Sequence, residues 1–130
     1  MVDSNVLLDI LERDPTWFTW SRTTLDQIAA QGPLAINPIV YAEISVGFAR
    51  IEQLHSVVPE RRFERLPLPW RAAFVAGTCF VAYRRAGGTR RSPLPDFYIG
   101  AHAVVDGMRL LTRDAVRYRS YFPTLDLIAP

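Results

Sequence analysis

Lysine is absent from this sequence, and all fifteen basic side chains are arginine. A P-loop nucleotide hydrolase uses the lysine of a G-x-x-x-x-G-K-[ST] segment to reach its phosphates, and the chain contains no such segment. Kinases depend on a phosphate-binding lysine in the same way. The missing residue type therefore excludes nucleotide switches and kinases. Genome base composition explains such arginine usage, although the planar guanidinium also suits phosphate recognition.

Cysteine is almost absent as well. Cys79 is the only one, so neither an internal disulfide nor a cysteine-based zinc site can form within one chain. Its neighbours in the sequence are apolar. We therefore predict a small core residue rather than a catalytic thiol.

Long apolar runs are also missing. The longest, residues 72–83, is about half the length of a membrane-spanning helix and contains Gly77 and Thr78 at its middle. We predict a buried helix there. Acidic residues precede the first basic one, Arg13, which is the opposite of a secretory signal. We expect a cytoplasmic protein that makes no contact with a membrane.

The pattern that is present is an alternation of helices and short strands in a chain of 130 residues, which we take as one domain over residues 1–130. Strands are predicted over residues 1–4, 34–36, 109–112 and 125–129. Helices are predicted over residues 5–11 (capped by Ser4 or Asn5), 15–32, 38–48, 51–57, 59–66, 70–85, 96–106 and 115–121. Short apolar strands separated by helices predict a three-layer α/β fold with a mostly parallel sheet.

Four acidic residues follow predicted strands or lie in the helices after them: Asp3, Glu43, Asp96 and Asp114. In a parallel sheet these positions converge beyond the carboxyl ends of the strands. Carboxylates gathered there would raise one another's pKa unless a cation were present. Oxygen ligands of this kind suit Mg²⁺ or Mn²⁺, which can polarise a phosphodiester and generate hydroxide near neutral pH.

Each carboxylate taken alone has a plainer explanation. Glu43 lies in an apolar helix that we expect to be buried, and an ion pair with an arginine accounts for it as well as a metal does. Asp3, Asp96 and Asp114 fit helix caps or turns. Their predicted convergence favours the metal site. Two further aspartates, expected to be exposed, and both histidines, expected to be ordinary helix residues, are left out of the site: Asp9, Asp106, His55 and His102.

Several segments together resemble one family. Residues 2–9 (VDSNVLLD) look like the opening motif of VapC-type PIN-domain toxins, and residues 38–47 with Glu43 resemble the second motif. Residues 95–103 (PDFYIGAHA) and 110–114 (LLTRD) are similar to the third and fourth. The resemblance covers essentially the whole chain. One departure is that only Met1 and Val2 precede Asp3, so we expect a short first strand or a trimmed start.

The resemblance implies a Rossmann-like PIN fold with a metal held by Asp3, Glu43, Asp96 and Asp114. It also implies that Asn5 and Thr112 hydrogen-bond the carboxylates or a water at the metal, with plain capping as the alternative. The implied activity is Mg²⁺-dependent endoribonuclease cleavage of cellular RNA, tRNA or rRNA, which inhibits translation until a VapB-type antitoxin binds. The implied assembly is a homodimer that forms a heterotetramer or larger complex with the antitoxin.

Two further features have open interpretations. Arginines around the loop before Asp96 either contact RNA phosphates or form a solvated charge run: Arg84, Arg85, Arg90 and Arg91. The aromatic cluster of Trp17, Phe18 and Trp20 is either core or a groove for an antitoxin helix.

Two other classes of protein compete with the nuclease. A phosphotransfer or receiver-like domain also places aspartates at strand ends, but it normally uses a lysine. A catalytically silent PIN scaffold would bind RNA or a protein partner without cutting.

Overall fold

The computed structural model describes residues 1–130 and contains seven helices and four short strands. The helices are α1 (Ser4–Leu11), α2 (Phe18–Ala29), α3 (Pro38–Ser45), α4 (Ile51–Val57), α5 (Trp70–Arg85), α6 (Pro95–Val105) and α7 (Ala115–Tyr121). The strands are β1 (Leu34–Ile36), β2 (Phe63–Arg65), β3 (Leu110–Leu111) and β4 (Leu127–Ile128).

Every strand pairing is parallel. β1 pairs with β2, with Leu34 opposite Phe63, and β3 pairs with β4. The N-terminal segment lies between the two pairs: Val2 forms a parallel bridge with Leu111, and its N–H donates to the Ala35 carbonyl at 2.8 Å. Because all the segments run the same way, their carboxyl ends meet at one edge. The expected α/β fold with a parallel sheet is confirmed.

Helices cover both faces of this sheet. All three residues of β1 are buried, and successive strand residues point to opposite faces, so neither face of β1 is open to solvent. The core contains 23 buried apolar residues drawn from the whole chain. Its largest members include Tyr118 and Phe97. Helix α6 packs against both α3 and α5, and α1 packs against α2 and α3.

Local signals explain where the site-bearing helices begin. The Asn37 side-chain oxygen accepts from the N–H groups of Ile39 and Val40 at 3.1 and 3.0 Å, which caps α3. Pro38 occupies the first turn, where its missing N–H costs nothing. The α1 cap is Asp3 rather than the expected Ser4 or Asn5, and its side chain makes no capping bond. The Asp3 carboxylate is therefore left for other contacts.

The helix predicted over residues 59–66 is wrong. A turn at Pro59, whose carbonyl accepts from the N–H groups of Arg62 and Phe63 at 2.9 Å, leads instead into β2. The backbone of residues 63–65 then pairs with β1, and Leu66 donates to the Ile36 carbonyl at 2.9 Å. Pairing with an existing strand therefore outweighs the local helical pattern.

The expectation of a buried helix over residues 72–83 is also only partly right. The helix α5 exists, but its buried residues are Ala72, Ala76 and Cys79, while Trp70 and Phe74 are 92% and 78% exposed. Cys79 is a core residue, as predicted. None of the helices is both long and apolar enough to span a membrane.

Candidate active site

Asp3 is the most deeply placed carboxylate. It is 1% exposed, and its Oδ2 accepts hydrogen bonds from Asn5 Nδ2 and Thr112 Oγ1, both at 2.7 Å. Ser4 Oγ lies 3.4 Å from Oδ1. Burial raises the pKa of Asp3 from 3.8 to about 6, and the charges of Asp96 and Glu43 act in the same direction. Asp3 is thus a buried acid that forms no ion pair with an arginine.

Asn5 and Thr112 lie against Asp3, where the resemblance placed them. Asn5 Nδ2 also donates to Thr112 Oγ1 at 3.1 Å, and Asn5 Oδ1 accepts from the Arg113 N–H at 3.3 Å. Thr112 Oγ1 accepts in turn from the Asp114 N–H at 3.0 Å. These bonds join α1, the end of β3 and the start of α7 around one carboxylate, and they leave Asp3 little freedom to rotate.

Glu43 reaches the same region from α3. Ser4 Oγ donates to its Oε2 at 2.7 Å, so one hydroxyl links Glu43 with the neighbourhood of Asp3. Glu43 is half-buried rather than fully buried, and it makes no ion pair with any arginine. Burial raises the pKa of Glu43, and the charge of Asp96 raises it further. The structural ion pair considered from the sequence is absent.

Asp96 and Asp114 share a cation, the guanidinium of Arg117. Arg117 pairs with the carboxylate of Asp96, and its Nε lies 3.5 Å from Asp114 Oδ2. Asp96 lies in the first turn of α6 but does not cap it. Asp114 is the cap of α7 and accepts from the Arg117 N–H at 3.2 Å. The capping explanation therefore holds for Asp114 and not for Asp96.

A cavity of about 380 Å³ opens at these residues. Its walls combine acidic, basic and aromatic side chains, namely Ser4, Asn5, Trp17, Asp96, Arg113, Asp114 and Arg117. A larger cavity, of about 490 Å³, lies at the opposite edge of the sheet, beside Met1, Leu34 and Arg109. That cavity is mostly apolar and brings no group of carboxylates together. Of the two cavities, the smaller one is lined by acidic residues of the predicted site, Asp96 and Asp114.

The carboxylate oxygens of the four acidic residues are the kind of ligand that a hard divalent cation prefers. Asp3 and Glu43 have pKa values raised by burial and by the charge of Asp96, a state that a bound cation would relieve. In this arrangement, however, no three acidic or histidine side chains lie close enough together to hold a metal ion. Arg117 instead supplies the positive charge between Asp96 and Asp114.

Arg113 and Asp9 form an ion pair that was not predicted from the sequence. Asp9 is 2% exposed, which contradicts the expected solvent exposure. Its Oδ2 accepts from Ser21 Oγ at 2.7 Å, and its Oδ1 lies 3.2 Å from Arg113 Nε. The Arg113 guanidinium lies 5.8 Å from the centre of the Trp17 ring. Two basic side chains, Arg113 and Arg117, thus line the cavity.

Tyr118 is a second residue that sequence reasoning assigned only to a helix. It is 1% exposed, and its hydroxyl has no hydrogen-bond partner. Burial raises its pKa well above the usual value, and the charges of Asp3, Asp96 and Glu43 raise it further. The spacing of four residues from Asp114 was the available signal, because it places Tyr118 one helical turn along from a site residue.

The four arginines proposed as RNA contacts lie outside the cavity. Arg84, Arg85, Arg90 and Arg91 are exposed, and Arg84 donates to the Arg90 carbonyl at 3.0 Å. The histidines are not at the acidic site either. His55 contacts Tyr41, and His102 is buried between Asn37 and Asp106. Of the aromatic cluster, only Trp17 reaches the cavity wall.

A parallel sheet covered by helices, with carboxylates gathered beyond the carboxyl ends of its strands, defines an α/β domain with an acidic site. Residues 1–122 match the PIN domain, so the chain belongs to the PIN domain family. The search among curated proteins gives no match.

Solved structures give the same fold. The crystal structure of VapBC2 from Rickettsia felis, bound to a DNA fragment from their promoter, contains a chain with 22% identity and a TM-score of 0.73. A chain of VapBC-1 from nontypeable Haemophilus influenzae has 18% identity and a TM-score of 0.72. A chain of DNA-bound VapBC from Salmonella typhimurium has 22% identity and a TM-score of 0.70. Each match covers 99% of this chain and 96% of the other.

Proposed function

We propose that this chain is a metal-dependent endoribonuclease that cleaves cellular RNA, tRNA or rRNA, and acts as the toxin of a VapBC-type pair. The observation that carries the proposal is Asp3, a 1% exposed carboxylate with a pKa of about 6 that forms no ion pair with an arginine. Burying such a charge is costly, and binding a cation there offsets the cost. Membership of the PIN family and the fold shared with VapBC complexes support the same activity.

Asp3, Glu43, Asp96 and Asp114 would hold Mg²⁺ or Mn²⁺. When bound, such an ion supplies Lewis-acid polarisation of a phosphodiester and a nucleophile from water near neutral pH. Asn5 and Thr112 keep Asp3 in one orientation through the two 2.7 Å bonds, and Ser4 does the same for Glu43.

In this proposal, Arg117 and Arg113 provide positive charge for the phosphates of the RNA substrate. Arg117 neutralises Asp96 and Asp114. Its side chain is 50% exposed, so it is free to turn towards an RNA phosphate once a metal ion takes over that role. Arg113 is fixed by the buried Asp9 and therefore presents its charge at a constant place in the cavity wall.

A VapB-type antitoxin is the proposed partner. The structures with this fold are described as VapBC and FitAB assemblies. Helix α5 exposes Trp70 and Phe74 one turn apart, at 92% and 78%, and large apolar side chains exposed together are typical of protein interfaces. We propose that a homodimer of this chain binds the antitoxin as a heterotetramer or larger complex in the cytoplasm.

A second candidate function is a silent scaffold that binds RNA or a protein without cutting. One observation favours it: Arg117 already neutralises Asp96 and Asp114, and no three ligands lie at metal-binding distance. The scaffold needs no metal ion for binding. The two functions therefore differ in whether RNA is cut and in whether a metal is required.

The testing experiment incubates antitoxin-free protein with total cellular RNA, with Mg²⁺, with Mn²⁺ and with EDTA. We expect discrete cleavage that requires metal, and we expect Asp96→Asn to lower the rate by at least about 10²-fold, the scale of losing one group that stabilises a transition-state charge. The matched control is Asp126→Asn, because Asp126 is exposed and lies away from the acidic site. Binding of RNA without cleavage by the folded wild type would identify the scaffold instead.

A further inference from the structure

The loop between α5 and α6, residues 86–94, is held against the last turn of α5 by the hydroxyl of Tyr83. The hydroxyl oxygen accepts from the Thr89 N–H at 3.2 Å, and the Arg90 N–H points to the same oxygen at 3.4 Å. Thr89 and Arg90 are exposed, so water could satisfy these N–H groups without help from the protein. The hydroxyl therefore fixes the loop where the fold does not require it.

Further contacts hold the loop in the same conformation. The Gly88 backbone lies so close to the Tyr83 ring that a Cβ there would come within 2.2 Å of it. The Gly88 N–H donates to the Tyr83 carbonyl at 3.0 Å, and Arg84 Nη1 donates to the Arg90 carbonyl at 3.0 Å. The loop is thus fixed at its backbone on both sides of Thr89.

The Tyr83 ring joins this loop to the helix that carries Asp96. The ring stacks on Phe80 of α5, with centroids 6.2 Å apart, and packs edge-on against Phe97 of α6 at 5.9 Å. Phe97 is fully buried and directly follows Asp96 in the chain. The position of the loop is therefore set relative to the acidic site.

The contacts of the loop leave two of its guanidinium groups unused. Arg84 supports the Arg90 carbonyl, whereas the side chains of Arg90 and Arg91 are exposed and form no ion pair. A solvated charge run gains nothing from a fixed backbone, because ordering a chain costs entropy. A binding segment does gain, because a loop that is ordered beforehand loses less entropy in the complex.

We propose that Tyr83 is a positioning residue for RNA binding, whose hydroxyl holds the loop so that Arg90 and Arg91 meet the phosphates of a strand entering the acidic site. The inference rests on RNA as the proposed substrate. Among the four arginines considered from the sequence, it assigns phosphate contact to Arg90 and Arg91 and a supporting role to Arg84.

The test compares Tyr83→Phe with a matched control, Tyr121→Phe, whose ring packs against the same Phe97 with centroids 4.7 Å apart. Both changes are made in a cleavage-deficient Asp96→Asn background, and the affinity for a labelled single-stranded RNA is measured by fluorescence anisotropy. We expect Tyr83→Phe to weaken binding by about 5-fold or more, the scale of ordering two long side chains and their loop in the complex. Tyr121→Phe should bind as its parent does. Equal affinity in Tyr83→Phe and the parent would overturn the inference.

A double-mutant cycle separates positioning from a general structural effect. Tyr83→Phe is combined with the replacement of both Arg90 and Arg91 by glutamine. If the tyrosine acts through these arginines, its removal should have no further effect on RNA affinity once they are gone. The same loss of affinity with and without the two arginines would show that Tyr83 acts by another route, and the proposal would then be wrong.

A second measurement uses the wild type, in case Tyr83→Phe does not fold. Amide hydrogen exchange in the free protein reports whether the loop is ordered before RNA binds. We expect the Thr89 and Arg90 amides, corrected for their intrinsic rates, to exchange more slowly than those of Arg91 and Ser92, whose N–H groups have no partner in the protein. Equal corrected rates at all four amides would contradict the proposal.

Failure of this inference and failure of the proposed nuclease are distinguishable. RNA cleavage by the wild type, with equal RNA affinity in the Tyr83→Phe variant and its parent, rejects the role of Tyr83 and leaves the nuclease standing. RNA binding that depends on Tyr83, without cleavage by the wild type, rejects the nuclease and supports the positioning role. A folded wild type that neither binds nor cuts RNA rejects both.

Discussion

At the scale of single residues, Asp3 shows how the site works against the stability of the fold. Its carboxylate is buried among other acids, and burial raises its pKa to about 6. At neutral pH it is nevertheless mostly charged, because the pH lies above this pKa of about 6, which the hydrogen bond from Thr112 keeps from rising further. The folded protein holds a charge that the unfolded chain would hold more easily in water. Removing that charge should therefore stabilise the fold while it disables the site.

Asp3→Asn should abolish cleavage and raise the free energy of unfolding by about 2–3 kcal/mol at pH 7 in the absence of metal. The pKa of Asp3 is 3.8 in the unfolded reference and about 6 in the fold. The folded wild type therefore binds this proton more tightly and loses stability as the pH rises from about 4 to about 7. The variant has no such titration, so its advantage should vanish near pH 4. Urea unfolding across this range, with Asp126→Asn as the control, measures the difference, and a gap independent of pH would contradict the explanation.

The sequence predicted some of these residues and not others, for a physical reason. Asp3, Glu43, Asp96 and Asp114 could be chosen from the sequence, because they follow predicted strands or lie in the helices after them. The strand ends of a parallel sheet converge, so residues in these positions are expected to lie near one another. Arg117 and Tyr118 could not be assigned to the site from the sequence. Their contacts depend on which face of α7 points towards the site, and a seven-residue helix has too few apolar positions to predict its orientation.

At the scale of elements, the residue that caps α3 also holds α3 against α6, and these two helices carry acidic side chains of the site. Asn37 caps α3 and, through its Nδ2, contacts His102 Nδ1 on α6 at 3.2 Å. The His102 Nε2 lies 3.0 Å from Asp106 Oδ2, so this nitrogen carries the proton that Asp106 accepts and Nδ1 accepts from Asn37. The two helices that carry Glu43 and Asp96 are thereby joined through buried hydrogen bonds. Residue types alone could not predict this contact between helices distant in sequence.

Helix packing can be tested at two glycines that both lie inside helices but have different surroundings. A Cβ at Gly100 in α6 would come within 2.4 Å of the Phe122 ring, whereas a Cβ at Gly77 in α5 meets nothing within 4 Å. Gly100→Ala should destabilise the fold by about 1–3 kcal/mol because the buried ring must move. Gly77→Ala should stabilise it by roughly 0.5–1 kcal/mol through lower entropy of the unfolded chain. Denaturant unfolding of both variants provides the comparison, and equal stabilities would mean that α6 moves away from Phe122 at little cost.

At the scale of the whole molecule, the charge is weakly positive but unevenly placed. The net charge is +2, yet the acidic groups of the site are buried or half-buried while Arg90 and Arg91 stand exposed in the loop that leads into α6. The proposed nuclease would need this separation, because a polyanion must be drawn to a site that is itself acidic. The loop ends where α6 begins, and Asp96 lies in the first turn of that helix. Under the proposed function, the loop would guide RNA towards the carboxylates.

This placement predicts how RNA binding depends on salt. For single strands, each phosphate contact contributes about 0.7 to the slope of log affinity against log salt concentration. In a cleavage-deficient Asp96→Asn background, replacing both Arg90 and Arg91 with glutamine should lower the magnitude of the slope by about 1.4 if each meets one phosphate. Fluorescence anisotropy with a labelled single-stranded RNA at several salt concentrations measures the slope. The same double change at Arg61 and Arg71, which are exposed but lie outside this loop, should leave the slope unaltered. If the two double variants behave alike, the loop arginines are a solvated charge run, and the guiding field must come from Arg113 and Arg117 within the cavity.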